Sequence, residues 1–543
     1  SKGGSFIGHH ICVPKEGIAI HINAFNFPIW GMLEKIAVNL LAGVPAIVKP
    51  ATVTSYLTEA VFKEIIASKL FPVGSLQLIC GSAGNLLDWT DSQDIVTFTG
   101  SAHTGALLKK TPAILANNVP FTMEADSLNC IVLGESVQPG DPEWDLFVKE
   151  VRKEMTLKAG QRCTGVRRIF VPEQYLDAIA DALRKALAQT IIGSPLHEKV
   201  RMGSLAGQTQ REEVLGQVKK LLASSQLIYG SLDSVEVVDA DWKKGAFISP
   251  LLLLNTQPFS QTDVHEIEAF GPVSTLMPYD NMEEAMALAK RGQGSLVGSL
   301  ITKSPAVAAQ VVPRLAAHHG RLHVLDRESA GESTGHGSPL PALKHGGPGR
   351  AGGGEELGGM RAVRHLMQRT ALQGSPNMIA AVTGEYMRGA QLIETEVHPF
   401  RRHFEDLQIG ESLLTHRRTV SEADIVAFGG LSGDYFYMHF DEIAAKDSPF
   451  GKRIAHGYFV LSAAAGLFVS PAPGPVLANY GLDTLRFVNP VGIGDTIRAR
   501  LTAKRKIDRN RKDANGVGQG VVAWDVEVTN QNGDVVASYD ILT

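Results

Sequence analysis

Hydrophobic residues in the first 125 positions follow two alternating periods. Short continuous runs of apolar residues predict strands at 17–22, 46–48, 76–79 and 95–98. Between them, apolar residues spaced three and four apart predict helices at 29–41 and 55–68. This alternation is typical of βαβ units with a mostly parallel sheet. We therefore expect ligands at the carboxyl ends of the strands, where 49–52 and 100–105 are rich in small and polar residues.

The mixed pattern continues to about residue 317 and then gives way to a glycine-rich stretch. Amphipathic helices are predicted at 173–189 and 281–290, so we expect a second α/β lobe. Between 318 and 373 the chain contains His-Gly-Gly-Pro-Gly and Gly-Gly-Gly, which favour loops and extended chain. A plain linker is the alternative interpretation, although long structureless loops are uncommon in compact domains.

Beyond about residue 375 the pattern predicts one buried helix and several strands. Ser421 and Asp424 precede an apolar run as in a capping box, which indicates a helix start. Small apolar residues at 457–469 predict the buried helix. Alternating residues predict strands at 484–488, 496–507, 518–529 and 534–542. Asn-Gly pairs at 515–516 and 532–533 mark hairpin turns, so we expect an antiparallel sheet around the helix.

Length and charge narrow the class of protein. A chain of 543 residues is too long for one core and predicts roughly three or four units. Lys and Arg number 52 against 56 Asp and Glu, so no global positive field exists to bind nucleic acid or an anionic membrane. Charged residues and prolines interrupt the most apolar stretches, which argues against a membrane span. The chain begins at Ser1 within core-like sequence and without a secretory signal, so we expect an N-terminal portion to be missing.

The four cysteines lack the spacing of a disulfide framework or a zinc site and favour the reducing cytoplasm. Cys163 differs from the others because it stands in a polar turn, Gly-Gln-Arg-Cys-Thr. Glu124 ends an apolar strand, and Asn26 lies in a turn. Taken singly, each has a structural interpretation: an inert thiol, an ion-pair partner and a turn residue. Taken together, they form a candidate group for nucleophilic catalysis.

Five short motifs occur in a fixed order around these residues. They are Asn-Phe-Pro-Ile-Trp at 26–30, Val-Lys-Pro-Ala at 48–51, Phe-Thr-Gly-Ser at 98–101, Gln-Arg-Cys at 161–163 and Glu-Ala-Phe-Gly-Pro-Val at 268–273. In order and spacing the chain resembles the aldehyde dehydrogenase superfamily over about residues 7–373. The resemblance implies an α/β aldehyde dehydrogenase fold that is N-terminally incomplete, because the family's usual N-terminal segment is not in this sequence.

The resemblance also implies catalytic roles. Cys163 is expected to attack an aldehyde carbon, forming a thiohemiacetal that loses hydride to leave a thioester. Asn26 and the backbone N–H of Cys163 are expected to stabilise the oxyanion. Glu124 is expected to activate the water that cleaves the thioester. The cofactor contacts implied in the same way are Lys49 at the adenosine ribose, Gly100 and Ser101 near the pyrophosphate, and Glu268 and Phe270 beside the nicotinamide.

Two departures from many relatives concern specificity. Thr52 stands where many of them carry glutamate after Lys-Pro-Ala. Loss of that carboxylate removes repulsion of a 2′-phosphate, so we expect NADP as cofactor, with NAD as the alternative. Ala125 and Asp126 replace glycines after Glu124, and we expect this change to reshape the substrate mouth.

A second candidate group lies near the C-terminus. Asp434 and His439 stand five apart, and His456-Gly457 precedes the predicted buried helix. Spacing alone favours structural roles for this pair, because buried polar groups are commonly just hydrogen-bonded. Residues 400–543 resemble the hot-dog-fold (R)-specific enoyl-CoA hydratases, also called MaoC-like, with an aromatic run replacing the usual Asn-Pro between the pair. The resemblance implies that Asp434 and His439 activate water and that the amide of Gly457 stabilises a thioester enolate.

Two remaining features carry no assignment of their own. The basic residues of 504–512 are expected to form a solvated face, with coenzyme A phosphates as the alternative ligand. The pairs at 9–10 and 318–319 lack metal-ligand spacing for histidine, and no metal is assigned.

The two resemblances together predict consecutive reactions. The module order and the segment 124–129 resemble the bifunctional ring-opening enzymes of bacterial phenylacetate degradation. This resemblance implies hydrolytic opening of oxepin-CoA by the hot-dog domain, followed by NADP-dependent oxidation of the semialdehyde. One alternative is an aldehyde dehydrogenase with a non-catalytic CoA-binding or oligomerisation module. Another is a ring-opening enzyme of aerobic benzoyl-CoA breakdown.

Domain boundaries and partners follow from the same resemblances. The expected segments are a partial dinucleotide-binding lobe at 1–124, a catalytic lobe at 125–317, a C-terminal dehydrogenase segment for oligomerisation at 318–375, a linker at 376–399 and the hot-dog hydratase domain at 400–543. We expect a CoA-thioester substrate and a homo-oligomer based on dimers, for which the resemblance implies a hexamer. A membrane or nucleic-acid partner is not expected.

Overall fold

The structure, a computed structural model, describes residues 4–354 and 359–543. The chain divides into two units, one spanning Cys12–Arg369 and the other combining Thr370–Thr543 with the N-terminal residues up to Ile11. Strands β1 (Ile7–Val13) and β14 (Gln368–Gly374) form a two-stranded sheet. Among the described residues, no helix combines the length and apolar character that crossing a membrane requires.

The N-terminal part of the first unit forms a five-stranded parallel sheet. Its strands, in spatial order, are β4 (Leu76–Leu78), β3 (Ala46–Lys49), β2 (Ala19–Ile22), β5 (Ile95–Thr99) and β6 (Phe121–Glu124). The helices of this region are α1 (Trp30–Leu41), α2 (Ser55–Ala67), α3 (Ala102–Lys109) and α4 (Pro112–Ala116). Every residue of the central strand β2 is buried, as expected for a strand covered on both faces. The predicted strands and the helices α1 and α2 are confirmed, with ends that shift by up to two residues.

The second sheet of this unit has seven strands. In spatial order they are β13 (His319–Leu325), β12 (Ser295–Ile301), β7 (Cys130–Leu133), β8 (Arg168–Pro172), β11 (Val273–Tyr279), β10 (Leu251–Leu254) and β9 (Gln226–Tyr229). The associated helices are α5 (Pro142–Thr156), α6 (Leu176–Ala188), α7 (Gln208–Leu221), α8 (Met282–Lys290) and α9 (Pro305–Leu315). All pairings are parallel except that of β9 with β10. Alternate residues of β8 pack in different core clusters, Phe170 in one and Ile169 in the other, so the sheet has apolar layers on both faces.

The glycine-rich stretch after β13 packs closely against other backbone. A β-carbon on Gly347 would lie 2.4 Å from the carbonyl oxygen of Ser295, and one on Gly352 would lie 2.2 Å from that of Met123. The N–H of Gly354 donates to the same Met123 oxygen at 3.2 Å. Glycine is required because the two chains approach too closely for a side chain. The linker interpretation of this stretch is therefore wrong, and helix α10 (Gly359–His365) follows it.

The second unit is a mostly antiparallel sheet with one long apolar helix. Its strands, in spatial order, are β15 (Ile393–Glu394), β16 (Glu411–Leu414), β19 (Thr496–Lys512), β20 (Gly518–Thr529), β21 (Val535–Leu542) and β18 (Gly481–Phe487), with β17 (Arg418–Thr419) beside β19. Its helices are α11 (Pro376–Thr383), α12 (Glu422–Ser432), α13 (Tyr437–Phe440), α14 (Glu442–Lys446) and α15 (Gly457–Phe468). The small residues Ala463 and Ala464 of α15 share a core cluster with Trp524 and Tyr539 of the sheet. Small residues allow the sheet to approach the helix closely.

Residues 376–399, expected to be a linker, contain regular structure instead. The Ser375 side chain caps α11, and Gly384 ends that helix in the left-handed conformation. Strand β15 pairs with β16, and Arg388 forms a 2.8 Å ion pair with Asp525 of β20. These contacts join the segment to the sheet. The capping box predicted at the start of α12 is confirmed.

Candidate active sites

Cys163 lies in a loop after α5 that has an unusual backbone. Lys158, Ala159 and Gly160 adopt left-handed conformations, with φ of 54°, 51° and 68°. Such a conformation costs a residue with a β-carbon about 1–2 kcal/mol, so surrounding contacts must hold it. A β-carbon on Gly160 would lie 2.2 Å from the carbonyl oxygen of Gly271, so only glycine fits at this position.

Two buried side chains hold this loop by hydrogen bonds to its carbonyl oxygens. Asn129 donates from Nδ2 to the oxygen of Cys163 at 2.7 Å and to that of Gly165 at 3.1 Å. Arg167 donates from Nη2 to the oxygen of Gly160 at 3.0 Å. Both side chains are almost fully enclosed by protein, where such bonds are shielded from competing water. The backbone of Cys163 is thus fixed from within the protein.

Glu124 and His345 lie beside the thiol. Nε2 of His345 is 3.6 Å from Oε1 of Glu124 and 4.0 Å from Sγ of Cys163. Burial opposes ionisation of Glu124, but the charges of His345 and Lys35 outweigh it and lower the pKa of Glu124 to about 2. Burial and the adjacent charge of Glu124 raise the pKa of Cys163 well above the usual thiol value. At neutral pH the site therefore holds an ionised carboxylate next to a protonated thiol.

Two cavities meet at these residues. One has a volume of about 720 Å³ and the other of about 660 Å³. The residues that line both are Ala24, Asn26, Thr99, Glu124 and Cys163. Two ligands can therefore approach the thiol from separate cavities, each within the size range of about 300–1,000 Å³ that is common for ligand sites. The structure brings together Asn26, Glu124 and Cys163, while their catalytic roles remain predictions.

The larger cavity, called the cofactor-side cavity below, is lined by five of the six residues expected to contact a dinucleotide: Lys49, Gly100, Ser101, Glu268 and Phe270. Thr52 is exposed at the start of a short 3-10 helix and is not part of this lining. A β-carbon on Gly100 would lie 2.6 Å from the ring of Phe98, so the turn after β5 presents bare backbone to the cavity. Volume and lining fit a dinucleotide. Residues of α7 that also line the cavity were not predicted: Gln210, Glu213, Val214 and Gln217.

Glu268 is held by two partners in this cavity. Its Oε1 accepts from Nε of Arg167 at 3.2 Å, and its Oε2 accepts from the N–H of Ser127 at 3.1 Å. Burial raises the pKa of Glu268, although Arg167 opposes the increase. Its position is therefore fixed by the same arginine that holds the Cys163 loop.

The expectation that Ala125 and Asp126 reshape the substrate mouth stays a prediction. Both line the cofactor-side cavity and not the smaller one. The chain turns after β6, where the N–H of Ala125 donates to the oxygen of Ala351 at 3.1 Å. Oδ1 of Asp126 then accepts from the N–H of Ala102, at the start of α3, at 2.9 Å. This turn places both residues in the lining of the cofactor-side cavity.

The second unit brings Asp434, His439 and His456 together, with side-chain atoms within 4.8 Å of one another. Nδ1 of His439 is 2.7 Å from the oxygen of Ile454, and Nε2 of His456 is 2.9 Å from the backbone oxygen of Asp434. The two imidazole rings stack with centroids 3.8 Å apart. Burial lowers the pKa of His439, although its bond to Ile454 opposes the change. His439 is therefore neutral at neutral pH, as a proton acceptor must be.

Gly457 is the first residue of α15, immediately after His456. A β-carbon here would lie 2.7 Å from the ring of Phe487, so this approach excludes a side chain. First-turn amides have no acceptor within their own helix, and the helix dipole favours negative charge beside them. The aromatic run between Asp434 and His439 is exposed, with Tyr435 at 63%.

The basic residues near the end of β19 mostly have protein partners. Lys504 is paired with Asp540 at 2.6 Å. Lys506 donates to the backbone oxygen of Leu407 at 2.9 Å. Arg509 donates to the hydroxyl oxygen of Tyr480 at 3.3 Å. These contacts favour a structural role for the run.

Two site residues carried no assignment from sequence analysis, His345 and His456. His345 belongs to the His-Gly-Gly-Pro-Gly motif, which was treated only as glycine-rich chain. Glycines beside a histidine allow the backbone to pack closely, and such packing can hold the imidazole in a site. His456 directly precedes Gly457, and its Nδ1 is buried with no hydrogen-bond partner among the described residues.

Comparisons with known proteins agree with this arrangement. The family model described as "Aldehyde dehydrogenase family" matches residues 9–368, and the one described as "MaoC like domain" matches residues 405–524. "Protein MaoC" of Klebsiella aerogenes is 53% identical over 314 residues, which are 58% of this chain and 92% of that protein. The 3,4-dehydroadipyl-CoA semialdehyde dehydrogenase of Aromatoleum evansii is 42% identical over 348 residues, 64% of this chain and 68% of that protein.

Solved structures support the fold of the first unit. Betaine aldehyde dehydrogenase from Staphylococcus aureus in complex with NAD+ aligns with a TM-score of 0.60 at 23% identity, covering 69% of this chain and 70% of that one. Aldehyde dehydrogenase C from Pseudomonas syringae aligns with a TM-score of 0.59 at 21% identity, covering 67% and 70%. Because the family match extends over more than half of its length, the chain belongs to the aldehyde dehydrogenase family, and it carries a MaoC-like hot-dog domain at its C-terminal end.

Proposed function

We propose that the chain catalyses two consecutive steps of phenylacetate-type catabolism. The hot-dog unit opens the ring of oxepin-CoA hydrolytically, and the dehydrogenase unit oxidises the semialdehyde to 3-oxo-5,6-dehydrosuberyl-CoA. The observation that carries the proposal is the presence of two groups of reactive side chains in one chain, Cys163 with Glu124 and Asp434 with His439. The printed name of the Aromatoleum evansii relative supports a CoA-bearing semialdehyde as substrate.

In the dehydrogenase unit, the thiolate of Cys163 attacks the aldehyde carbon and the carbonyl electron pair moves to oxygen. Asn26 and the N–H of Cys163 donate to that oxyanion. Lys49, Gly100, Ser101, Glu268 and Phe270 of the cofactor-side cavity would hold NADP, which would supply the hydride acceptor. Loss of hydride leaves a thioester on Cys163. Glu124 then takes a proton from the attacking water, which releases the acid and frees Cys163 as a thiolate. Oε1 of Glu124 is buried without a hydrogen-bond partner among the described residues, which suits it to receive that water.

In the hot-dog unit, Asp434 and His439 orient one water against a carbon–carbon double bond conjugated to the thioester. His439 accepts the water's proton, and the pair returns a proton to the neighbouring carbon. The N–H of Gly457 donates to the thioester oxygen as negative charge develops on it. Addition of water to an enol ether gives a hemiacetal that collapses to a carbonyl, so hydration of oxepin-CoA opens its ring.

Formation of NADPH from oxepin-CoA by the full-length protein and two variants tests the order of steps. We expect Asp434→Asn to form no NADPH from oxepin-CoA while still oxidising a simple aldehyde. We expect Cys163→Ala to release the semialdehyde without forming NADPH. Removing a nucleophile or a general base costs several orders of magnitude in rate, so both losses are easily measured.

One outcome of this experiment would contradict the proposed order. If Asp434→Asn still forms NADPH from oxepin-CoA, the hot-dog unit is not the ring opener. The activity then reduces to an aldehyde dehydrogenase with an accessory CoA-binding or oligomerisation module. A homo-oligomer based on dimers, with a hexamer as the expected state, forms part of the proposal, and light scattering would report its mass.

A second candidate substrate is 3,4-dehydroadipyl-CoA semialdehyde, which the name of the 42% identical relative supports. The corresponding alternative function is that of a ring-opening enzyme of aerobic benzoyl-CoA breakdown. Initial rates with both CoA semialdehydes separate the candidates, because the preferred substrate gives the higher kcat/KM.

We propose NADP as the preferred cofactor, on the ground that Thr52 contributes no negative charge near the expected ribose site. In Thr52→Glu we expect the KM for NADP to rise about tenfold, equivalent to about 1.4 kcal/mol, while the KM for NAD changes little. Thr52→Val, which adds no charge, is the matched control and should retain both values. A wild-type KM for NADP above that for NAD would overturn the preference.

A further inference from the structure

His345 is a titratable group beside Cys163 that the proposed mechanism does not use. It lies at the start of the glycine-rich segment, where Gly346 and Gly347 allow the backbone to press against other chain. A β-carbon on Gly346 would lie 2.4 Å from the oxygen of Gly354, and one on Gly347 would lie 2.4 Å from that of Ser295. The closely packed backbone on its C-terminal side limits where the imidazole can lie.

The imidazole lies within reach of both reactive groups. Its Nε2 is 4.0 Å from Sγ of Cys163 and 3.6 Å from Oε1 of Glu124, and its side chain is 13% exposed. The contact with sulfur is a long hydrogen bond, and the distance to the carboxylate oxygen slightly exceeds one. Catalytic contacts of this kind often tighten only when substrate binds. The arrangement is a thiol, an imidazole and a carboxylate in mutual contact.

The thiol of Cys163 needs a proton acceptor before its sulfur can attack. Burial and the charge of Glu124 raise the pKa of Cys163, so the thiol is protonated at neutral pH. Oε1 of Glu124 lies 3.6 Å from Nε2 of His345, so a proton that moves to the imidazole gains a carboxylate partner. An imidazole has an intrinsic pKa of about 6.5 and is an effective acceptor near neutral pH.

We propose that His345 is a catalytic base that takes the Cys163 proton as the thiol attacks the aldehyde. The S–H bond breaks, the proton moves to Nε2 of His345, and the sulfur electron pair forms the C–S bond. The carbonyl electron pair moves to oxygen and returns when hydride leaves to the nicotinamide of the bound NAD(P). When water cleaves the thioester, the departing sulfur recovers the proton from His345. Glu124 stabilises the imidazolium between these two events.

Several other charged or titratable side chains line the smaller cavity together with His345. The titratable or charged side chains that face the smaller cavity, besides His345, are Glu34 and Lys35 from α1, Glu124 from β6, and Lys158, Arg162 and Cys163 from the loop after α5. Arg162 is committed to Glu154 at 2.8 Å, and Lys158 donates to the backbone oxygen of Asn26. Lys35 donates to Thr99 at 2.7 Å. None of these cations can accept a proton from the thiol.

Alkylation of Cys163 by iodoacetamide, followed by peptide mass spectrometry, measures the proton transfer without cofactor or aldehyde. At pH 7 we expect alkylation in His345→Ala to slow at least about tenfold, and the rate to rise at higher pH than in wild type. Added imidazole, which can enter the vacated space, should restore part of the rate. Exposed Cys80 is the internal control, because the substitution should leave its alkylation unchanged.

Turnover provides the second measurement. For a simple aldehyde we expect kcat of His345→Ala to fall about 10²-fold, with partial recovery in imidazole, while surface variant His197→Ala keeps its rate. His345→Gln, which retains polarity and most of the volume, should behave like His345→Ala and is the check on folding. The base role is overturned if either folded His345 variant alkylates at the wild-type rate, or is slowed equally at every pH.

The inference rests on the proposed role of Cys163 as nucleophile, and the two can fail separately. If Cys163→Ala retains aldehyde oxidation, the proposed nucleophile is wrong. If Cys163→Ala is inactive while His345→Ala matches wild type in alkylation and kcat, only the role of His345 is wrong.

Discussion

At the scale of single residues, Asn129 shows how a side chain remote from substrate can control a nucleophile. It holds the carbonyls of Cys163 and Gly165 and accepts from the N–H of Val297 at 3.0 Å. In Asn129→Ala we expect the stability to fall by about 2–5 kcal/mol, because these groups and the buried hydroxyl of Ser127 lose their partner. We expect kcat for a simple aldehyde to fall about 10²-fold, since displacement of a reacting atom by about 1 Å has effects of this size.

Urea unfolding and initial rates measure these two effects. Asn117→Ala is the control, because Asn117 is exposed and donates to the single oxygen of Thr90 at 2.9 Å. Its loss should cost less than about 1 kcal/mol and leave kcat unchanged. If Asn129→Ala loses stability but keeps the wild-type kcat, Asn129 supports the fold without positioning the thiol.

The sequence predicted those site residues that stand in recognisable motifs. Cys163 and Glu124 stand in motifs whose order is specific, and Asp434 and His439 stand before a helix with a recognisable composition. The sequence did not predict His345 as a site residue, because its contact with Cys163 spans 182 positions and depends on close packing of glycines. Thr52 is a different case, because sequence position placed it near the cofactor while the backbone leaves it outside the cavity lining.

At the scale of elements, periodicity predicted the interiors of strands and helices better than their limits. Strand β19 extends to Lys512, five residues beyond the predicted end, because it pairs with β20 in a long hairpin. No local pattern encodes that extension, since its outer residues are exposed and polar. Helix α11 was missed although Ser375, Pro376 and Gly384 are ordinary start and stop signals. The prediction of a linker at 376–399 did not take these helix signals into account.

A glycine-rich sequence can form either closely packed backbone or a flexible linker. In the stretch around Gly347 and Gly352 it permits backbone to meet backbone, and the segment is closely packed. In an exposed linker the same composition reflects chain freedom. Composition does not separate the two cases, because the difference lies in contacts with distant residues such as Met123 and Ser295.

At the scale of the whole chain, the two halves differ in how their cores form. The first unit buries strands on both faces, so its sequence shows continuous apolar runs, whereas the second alternates around a single apolar helix. This contrast made the two-part organisation predictable. The first unit also buries polar side chains, among them His21, His265 and His319. Burial lowers the pKa of each of these histidines to about 4.

These histidines predict how the stability of the first unit depends on pH. His21 is fully buried, with Nδ1 2.7 Å from Thr97 Oγ1 and Nε2 2.8 Å from Asn39 Oδ1, and it is neutral when folded. Its pKa is about 4 in the folded state and about 6.5 when unfolded, so between these values the unfolded chain binds more protons. Its contribution to stability is therefore complete above about pH 6.5 and is lost progressively as the pH falls towards 4.

Urea unfolding of wild type, His21→Gln and His103→Gln at pH 7 and pH 5 isolates this effect. Wild type should lose about 2 kcal/mol more than His21→Gln between the two pH values, because 1.5 pH units below the unfolded pKa correspond to about that energy. His103 is exposed, so His103→Gln should lose as much as wild type. Glu34, Glu154 and Glu268, whose pKa values burial raises, act in the opposite direction but equally in all three proteins. An identical loss in wild type and His21→Gln would contradict the prediction, because His21 would then carry the same proton in both states.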